Sequence, residues 1–304
     1  MTKGNSHQVR DSLASRVFDA LNYALLGLLG IVTLGPFIYL LLGALTEASY
    51  FRTVGVAISP AHWSLNSFRI LLGSASRIYQ ALKVTVFITV VGTVLSLAVT
   101  SALAYGISRK TLIGRKVFIF LIFFSMLFGG GMVPFYLVVK WTGLIDKLWS
   151  LIVPFLVNAW YVFIMMRFFE SLPPDLADAA QIDGCSGMQV FFRIVLPLSK
   201  PVLATIGLFY AVGYWNTWFW GTIFLVDDRL QPLQLVLRGI LAQLLLVVDP
   251  ETAMEAAKMD SQSMPPMEVL RMAAIIVTVL PITVVYPFLQ KYFVKGVMVG
   301  AVKG

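Results

Sequence analysis

The sequence predicts an all-α polytopic membrane protein with six transmembrane helices, and three observations carry that prediction. Hydrophobic residues fill 59% of the 304 positions and charged residues only 12%, with a mean hydropathy of +0.85, far more apolar than a soluble domain of this length. The apolar residues fall into runs long enough to cross a bilayer, since about 20 helical residues cover roughly 30 Å of hydrocarbon. Basic residues crowd a short connection between two of those runs, which orients the chain in the membrane. The single cysteine, Cys185, and two histidines, His7 and His62, exclude a disulfide framework and a cysteine- or histidine-built metal site. No catalytic residue and no metal ligand is assigned. The net charge of +8 flanks apolar runs and forms no stripe, so it marks membrane anchoring and no nucleic-acid partner.

Residues 1–18 form a polar N-terminal segment carrying Lys3, Arg10 and Arg16, expected in the cytoplasm and with no pattern of a removable signal peptide. The membrane domain is expected over 19–295, and residues 296–304 form a cytoplasmic tail. The first span runs from about Ala20 to Ala44, with Gly35-Pro36 as an expected kink. Residues 47–80 are more polar and lie outside. The second span, Ala81 to Ile107, carries Gly92, Ser96, Thr100 and Ser101, small residues that permit close helix packing. Arg109, Lys110, Arg115 and Lys116 crowd the connection that follows and place it in the cytoplasm.

The third span starts near Val117 and is broken in its outer half by Gly129-Gly130-Gly131 and Pro134. A broken helix in lipid needs protein or a water-lined cavity around it, so this segment reads either as a wall of a pathway or as a packing kink. The fourth span covers Leu148 to Phe169. The fifth, about Pro201 to Leu225, holds the densest polar and aromatic cluster: Tyr210, Tyr214, Trp215, Asn216, Thr217, Trp218 and Trp220. Rings that stack on sugar faces and an amide that reaches hydroxyls would make a carbohydrate track, and Tyr210, Tyr214, Trp215, Asn216 and Trp218 are its candidate residues. Asn216 reads as a mid-membrane amide in need of a partner; Trp218 and Trp220, near the outer end, read either as pathway residues or as members of the interfacial aromatic belt, with the belt favoured for Trp220. Residues 226–270 form a second outer segment, whose Leu235 to Val248 portion is apolar but too short to span twice. The sixth span, Met272 to Leu289, returns inward.

Between the fourth and fifth spans lies a polar amphipathic island, residues 173–201. Pro173 and Pro174 stop the preceding helix, and Asp175 is the expected N-cap of a short one. Gly184 supplies the left-handed residue that ends it. Ser186, with Gln189 three residues on, predicts a capping box for a second short helix whose apolar face carries Val190, Phe191 and Ile194. Ala179 and Ala180, framed by Asp178 and Asp183, are expected to form a smooth patch that a partner's surface can approach.

That pattern, Asp178-Ala-Ala-x-x-Asp183-Gly184 followed by Ile194-x-Leu-Pro197 and Pro201, resembles the EAA loop of ABC importer permeases, the element that docks on the cytoplasmic ATPase. It departs from the usual pattern by Asp for Glu at 178 and Cys for Ala at 185. The literal Glu255-Ala256-Ala257 lacks the following glycine and Leu-Pro and does not count. The whole chain is similar to the second, maltose-type permease of carbohydrate importers. Gly130-Gly-Met-Val-Pro134, Leu196 to Thr205 and Tyr286 to Gly296 resemble the branch for oligosaccharides and polysaccharide fragments, aldouronate and alginate importers included.

The resemblance implies the type I ABC importer fold and the bacterial cytoplasmic membrane. It implies a second homologous permease, two ABC ATPase subunits carrying ATP and Mg²⁺, and an extracytoplasmic solute-binding protein that delivers an oligosaccharide. It assigns ATPase coupling to Asp178, Ala179, Ala180, Asp183 and Gly184, and to Lys303 and Gly304 of the tail. No cofactor is expected on this chain, and no G-x-x-x-x-G-K-[ST] sequence occurs in it.

Two other readings compete. A stand-alone secondary sugar transporter would need intramembrane acids or histidines for coupling. Between Ala81 and Phe169 the acid is Asp146, at a loop, and the sixth span has none. A membrane-embedded enzyme would need a nucleophile paired with a base, and no such pairing is visible by position.

Overall fold

The computed structural model describes residues 13–73, 76–246 and 266–301. Lys303, Gly304 and the Glu255-Ala256-Ala257 segment lie outside the described residues. In chain order the helices are α1 (Leu13–Leu45), α2 (Ala48–Thr53), α3 (Asn66–Leu72), α4 (Arg77–Ser108), α5 (Arg115–Leu127), α6 (Met132–Trp141), α7 (Ala159–Glu170), α8 (Pro174–Ile182), α9 (Gly187–Val190), α10 (Leu196–Leu198), α11 (Lys200–Trp215), α12 (Phe219–Phe224), α13 (Leu233–Leu246) and α14 (Met267–Ala301). Among the described residues the one β feature is an isolated bridge between Thr46 and Trp63.

Among the described residues three helical segments are long and apolar enough to cross a membrane: Ser15–Leu45, Arg77–Ser108 and Met267–Val284. Three bent pairs raise the number to six if each is one span: α5 with α6 at 119°, Leu148–Phe155 with α7 at 47°, and Gly187–Leu198 with α11 at 81°. By length and composition these elements correspond to the six expected spans; the third and fourth are broken, and the 81° bend before α11 lies where the polar island joins the fifth span. At Gly129-Gly130-Gly131 the chain turns back through 119°, far more than a proline kink. Gly131 makes that turn at φ 81°, a value that costs glycine nothing.

The fifth span is shorter than the hydropathy suggests, ending at Trp215 instead of Leu225. Asn216 Nδ2 donates to the Val212 carbonyl at 2.9 Å and Thr217 Oγ1 to the Gly213 carbonyl at 3.0 Å. Side chains that bond back to the last turn compete with continuation of the helix. α1 continues through Pro36, and α14 continues through Pro281 and Pro287 to Ala301.

The chain divides into two compact units, Met1–Phe68 with Asp260–Ile276 and Arg69–Met259 with Val277–Gly304. In the first, the end of α1 is tied to the loop after it. Thr46 Oγ1 donates to the Leu42 carbonyl and accepts from the Ala57 amide, while Trp63 Nε1 donates to the Ala57 carbonyl.

In the second unit α4 is the central rod, with α7, α11 and α13 packed along it. Gly92, Ser96, Thr100 and Ser101 are all buried on it. The close approach expected of them is real: a Cβ on Gly92 would come within 2.7 Å of the Tyr214 ring on α11.

Candidate functional site

The polar island folds as two short helices joined by a tight turn. Pro174 takes the first helical position of α8, where its missing N–H is no loss, so the cap falls on Pro173 and Asp175 lies in the first turn. This corrects the expected Asp175 cap; a carboxylate in the first turn still complements the positive end of the helix. The helix ends in a Schellman arrangement: Cys185 N donates to the Ala180 carbonyl at 2.9 Å and Gly184 N to the Gln181 carbonyl at 3.0 Å. Gly184 adopts φ 86°, as that motif requires. The next helix opens on the expected capping box, with Ser186 N donating to Gln189 Oε1 at 2.7 Å and Gln189 N donating to Ser186 Oγ at 3.3 Å.

The two faces of this elbow do different work. Ala177, Ala180, Val190, Phe191 and Val195 are buried in one core with Ala104 and Ile107 of α4 and Val162, Met165, Met166 and Phe169 of α7. Asp178, Ala179, Asp183 and Gly184 are exposed, together with the large apolar side chains of Leu176, Ile182 and Met188. Ala180 therefore corrects the expected smooth patch. Its side chain points into the protein's own core, and the outer surface is Ala179 with Ile182 and Met188 around it. Exposed apolar groups rimmed by carboxylates are the composition of a docking surface.

Contacts absent from the sequence reading fix the elbow to the bundle. Tyr105, near the end of α4, packs its ring on Phe191 at 4.8 Å and on Phe169 at 6.2 Å. Its hydroxyl donates to the Gly187 carbonyl at 3.4 Å. Arg109 lies over the same ring at 5.0 Å. Glu170, at the end of α7, is paired with Arg115 and with Arg167, and Arg115 Nε also donates to the Ile107 carbonyl at 2.7 Å. Arg115 thus joins the ends of α4 and α7 at the root of the elbow, beyond its value as an orientation marker.

Farther along the bundle is a cavity of about 230 Å³, lined by Phe155, Asn158, Tyr161, Phe209, Thr217 and Trp220 among others. Of the five pathway candidates, Tyr210 and Tyr214 line it, while Trp215, Asn216 and Trp218 do not. The two tyrosine hydroxyls are already engaged. Tyr210 shares a hydrogen bond with Thr100 at 2.7 Å and accepts from the Asn158 amide at 3.0 Å. Tyr214 shares one with Ser96 at 2.8 Å.

Both tyrosines also reach carbonyls of the irregular stretch before α7, those of Leu156 and Ile152. Broken backbone at membrane depth must find partners within the protein, and these hydroxyls supply them. Trp215 is buried, with Nε1 donating to the Thr278 carbonyl at 3.3 Å. Asn216 is an exposed C-cap, its amide spent on the Val212 carbonyl. Trp220 stacks on Phe224 and meets Phe135 and Phe155 edge-on or tilted, and it also lines the cavity. Asn158 caps α7 by accepting from the amides of Trp160 and Tyr161. An asparagine inside an apolar run, four residues after Pro154, was the available signal.

Apolar spans and a polar elbow packed on α4 and α7 are the architecture of a membrane transport permease. The protein belongs to the family of binding-protein-dependent transport system inner membrane components, whose model matches residues 107–299. It is 41% identical over 292 residues to the polygalacturonan/rhamnogalacturonan transport system permease protein YtcP of Bacillus subtilis, covering 96% of this chain and 100% of that one. It is also 41% identical to Protein LplC of the same organism, over 98% and 99% of the two chains. A crystal structure of a bacterial ABC transporter involved in import of the acidic polysaccharide alginate contains a similar chain, with a TM-score of 0.81 and 32% identity over 93% of this chain and 98% of that one.

The type I importer fold, the bacterial inner membrane and the dependence on a separate ATPase and a substrate-binding protein follow from that membership. The stand-alone transporter is set aside with it.

Proposed function

We propose that this permease moves oligosaccharide or polysaccharide fragments, uronate-containing ones included, into the cytoplasm by alternating access. The observation that carries the reading is the near full-length similarity at 41% identity to a polygalacturonan/rhamnogalacturonan permease, supported by the similar chain in the alginate importer. The partner permease is a second homologous chain, and ATP and Mg²⁺ are bound by two ATPase subunits. The exposed side of the elbow, Asp178, Ala179, Asp183 and Gly184 with Ile182, meets the ATPase. Ala180 braces it from within, and Lys303 and Gly304 reach the same partners.

Closure of the ATPases then moves the elbow as a rigid body, because its inner face is continuous with the α4 and α7 core. A packed core transmits displacement instead of absorbing it. The cavity beside α11 contributes aromatic faces to the sugar path, while Tyr210 and Tyr214 hold its walls together.

The test is uptake of labelled trigalacturonate into proteoliposomes containing the permeases and ATPases with the binding protein outside. Uptake that requires ATP and the ATPase subunits is expected. Uptake driven by an ion gradient without them would overturn the reading.

A further inference from the structure

We propose that Arg238, stacked on Trp218 beside the Asn216–Gln234 amide pair, is a recognition point for the carboxylate of an acidic sugar unit. This rests on the proposed function and deepens it by naming what the permease itself selects.

Residues 216–218 form the break between α11 and α12. Thr217 lines the cavity, and its neighbour Trp218 carries the Arg238 guanidinium 3.7 Å over its ring. Arg238 is exposed, and among the described residues no carboxylate lies within ion-pair distance of it. Two other arginines differ. Arg229 is held by Asp227 at 2.9 Å and Arg77 by Asp228 at 2.9 Å; the Asp227 hydrogen bonds raise the Arg229 pKa above its ordinary value. Arg238 is a positioned cation with its polar edge unspent.

Stacking on an indole uses the face of the guanidinium and leaves the N–H groups at its rim. That rim is the geometry that takes a carboxylate by two parallel hydrogen bonds. Holding the side chain on Trp218 before the ligand arrives removes part of the ordering cost of binding. One turn back on α13, Gln234 Nε2 donates to Asn216 Oδ1 at 3.4 Å, which places two amides next to the stack for sugar hydroxyls. A neutral sugar can use the amides but has nothing for the guanidinium, so this arrangement discriminates by charge.

The experiment compares the complete importer with Arg238→Gln and Arg238→Lys variants in proteoliposomes, reading ATP-driven uptake of trigalacturonate and of its carboxyl-reduced neutral counterpart. Arg238→Gln is expected to lower trigalacturonate uptake about tenfold or more and the neutral sugar less than twofold, with Arg238→Lys between, because a lysine keeps charge but loses the fork. Equal loss for both sugars would overturn the proposal and identify Arg238 as a contact for an acidic side chain of the binding protein. Unchanged uptake of both would overturn it as well.

A second measurement removes the binding protein's own preference. Saturation-transfer NMR on the permease–ATPase complex in nanodiscs is expected to show trigalacturonate signals that Arg238→Gln abolishes, and equal signals for acidic and neutral sugars would count against the site. Failure of the wild-type importer to move either sugar would instead sink the proposed function, and this inference with it.

Discussion

Tyr214 lies across Gly92: a Cβ on the glycine would fall 2.7 Å from the ring, and the tyrosine hydroxyl meets Ser96 one turn further along α4 at 2.8 Å. The approach of α4 to α11 therefore depends on the absence of one side chain. Gly92→Val is expected to destabilise the permease by about 1–3 kcal/mol, the usual cost of overpacking, read as a lower unfolding temperature and a lower yield of assembled complex. Gly213→Ala, where a Cβ meets nothing within 4 Å, is the control and should leave both unchanged.

Tyr210→Phe separates wall from ligand contact. The hydroxyl serves Thr100 and the Asn158 amide, so its loss should cost about 1–3 kcal/mol of stability by leaving buried groups unpaired. The half-saturating sugar concentration for uptake should stay within twofold of wild type. A large rise in that concentration with unchanged stability would make Tyr210 a substrate contact.

Gly184→Val should uncouple ATP hydrolysis from import. A β-branched residue at φ 86° carries roughly 1–2 kcal/mol of strain, and relief of that strain re-aims the outer end of α8. Binding-protein-stimulated ATP hydrolysis is expected to persist while import per ATP falls several-fold. Normal coupling in a folded variant would contradict the rigid-elbow account.

Glu170→Gln removes the charge that Arg115 and Arg167 share. The pair is part-buried, with Arg115 26% and Glu170 19% exposed, so the loss should be about 2 kcal/mol, within the range for hydrogen bonds to charged groups. Limited proteolysis should then cut within residues 171–187 faster than in wild type, because the root of the elbow is loosened.

The elbow was legible in sequence because its determinants are local. Gly184, Ser186 and Gln189 act within a few residues of one another, and both the left-handed turn and the capping box formed as their spacing required. Ala180 was misplaced because an alanine carries no sign of which face it occupies; burial is set by α4 and α7, far away in the chain. Glu170 and Arg115 are 55 positions apart, so neither end of that pair announces the other.

The end of the fifth span escaped hydropathy for a different reason. Residues 218–225 stay apolar, while the helix is closed by two side chains bonding back to Val212 and Gly213. The 119° turn between α5 and α6 likewise follows from a glycine triplet that permits any turn and dictates none. Asp146, read as a lone loop acid, sits at φ 57°. Its Oδ1 accepts from the Val226 and Asp227 amides at 2.9 and 2.8 Å; it clamps two loops.

The most direct test of force entering through the elbow is disulfide or short-linker cross-linking from Ile182→Cys in a Cys185→Ala background, within the intact importer. Ile182 is 87% exposed at the end of α8, on the face assigned to the ATPase. A cross-link to the ATPase subunit whose yield changes when ATP is trapped is the predicted result. No cross-link in a complex that still contains the ATPase, together with labelling of that cysteine by a membrane-impermeant thiol reagent applied from outside, would contradict it.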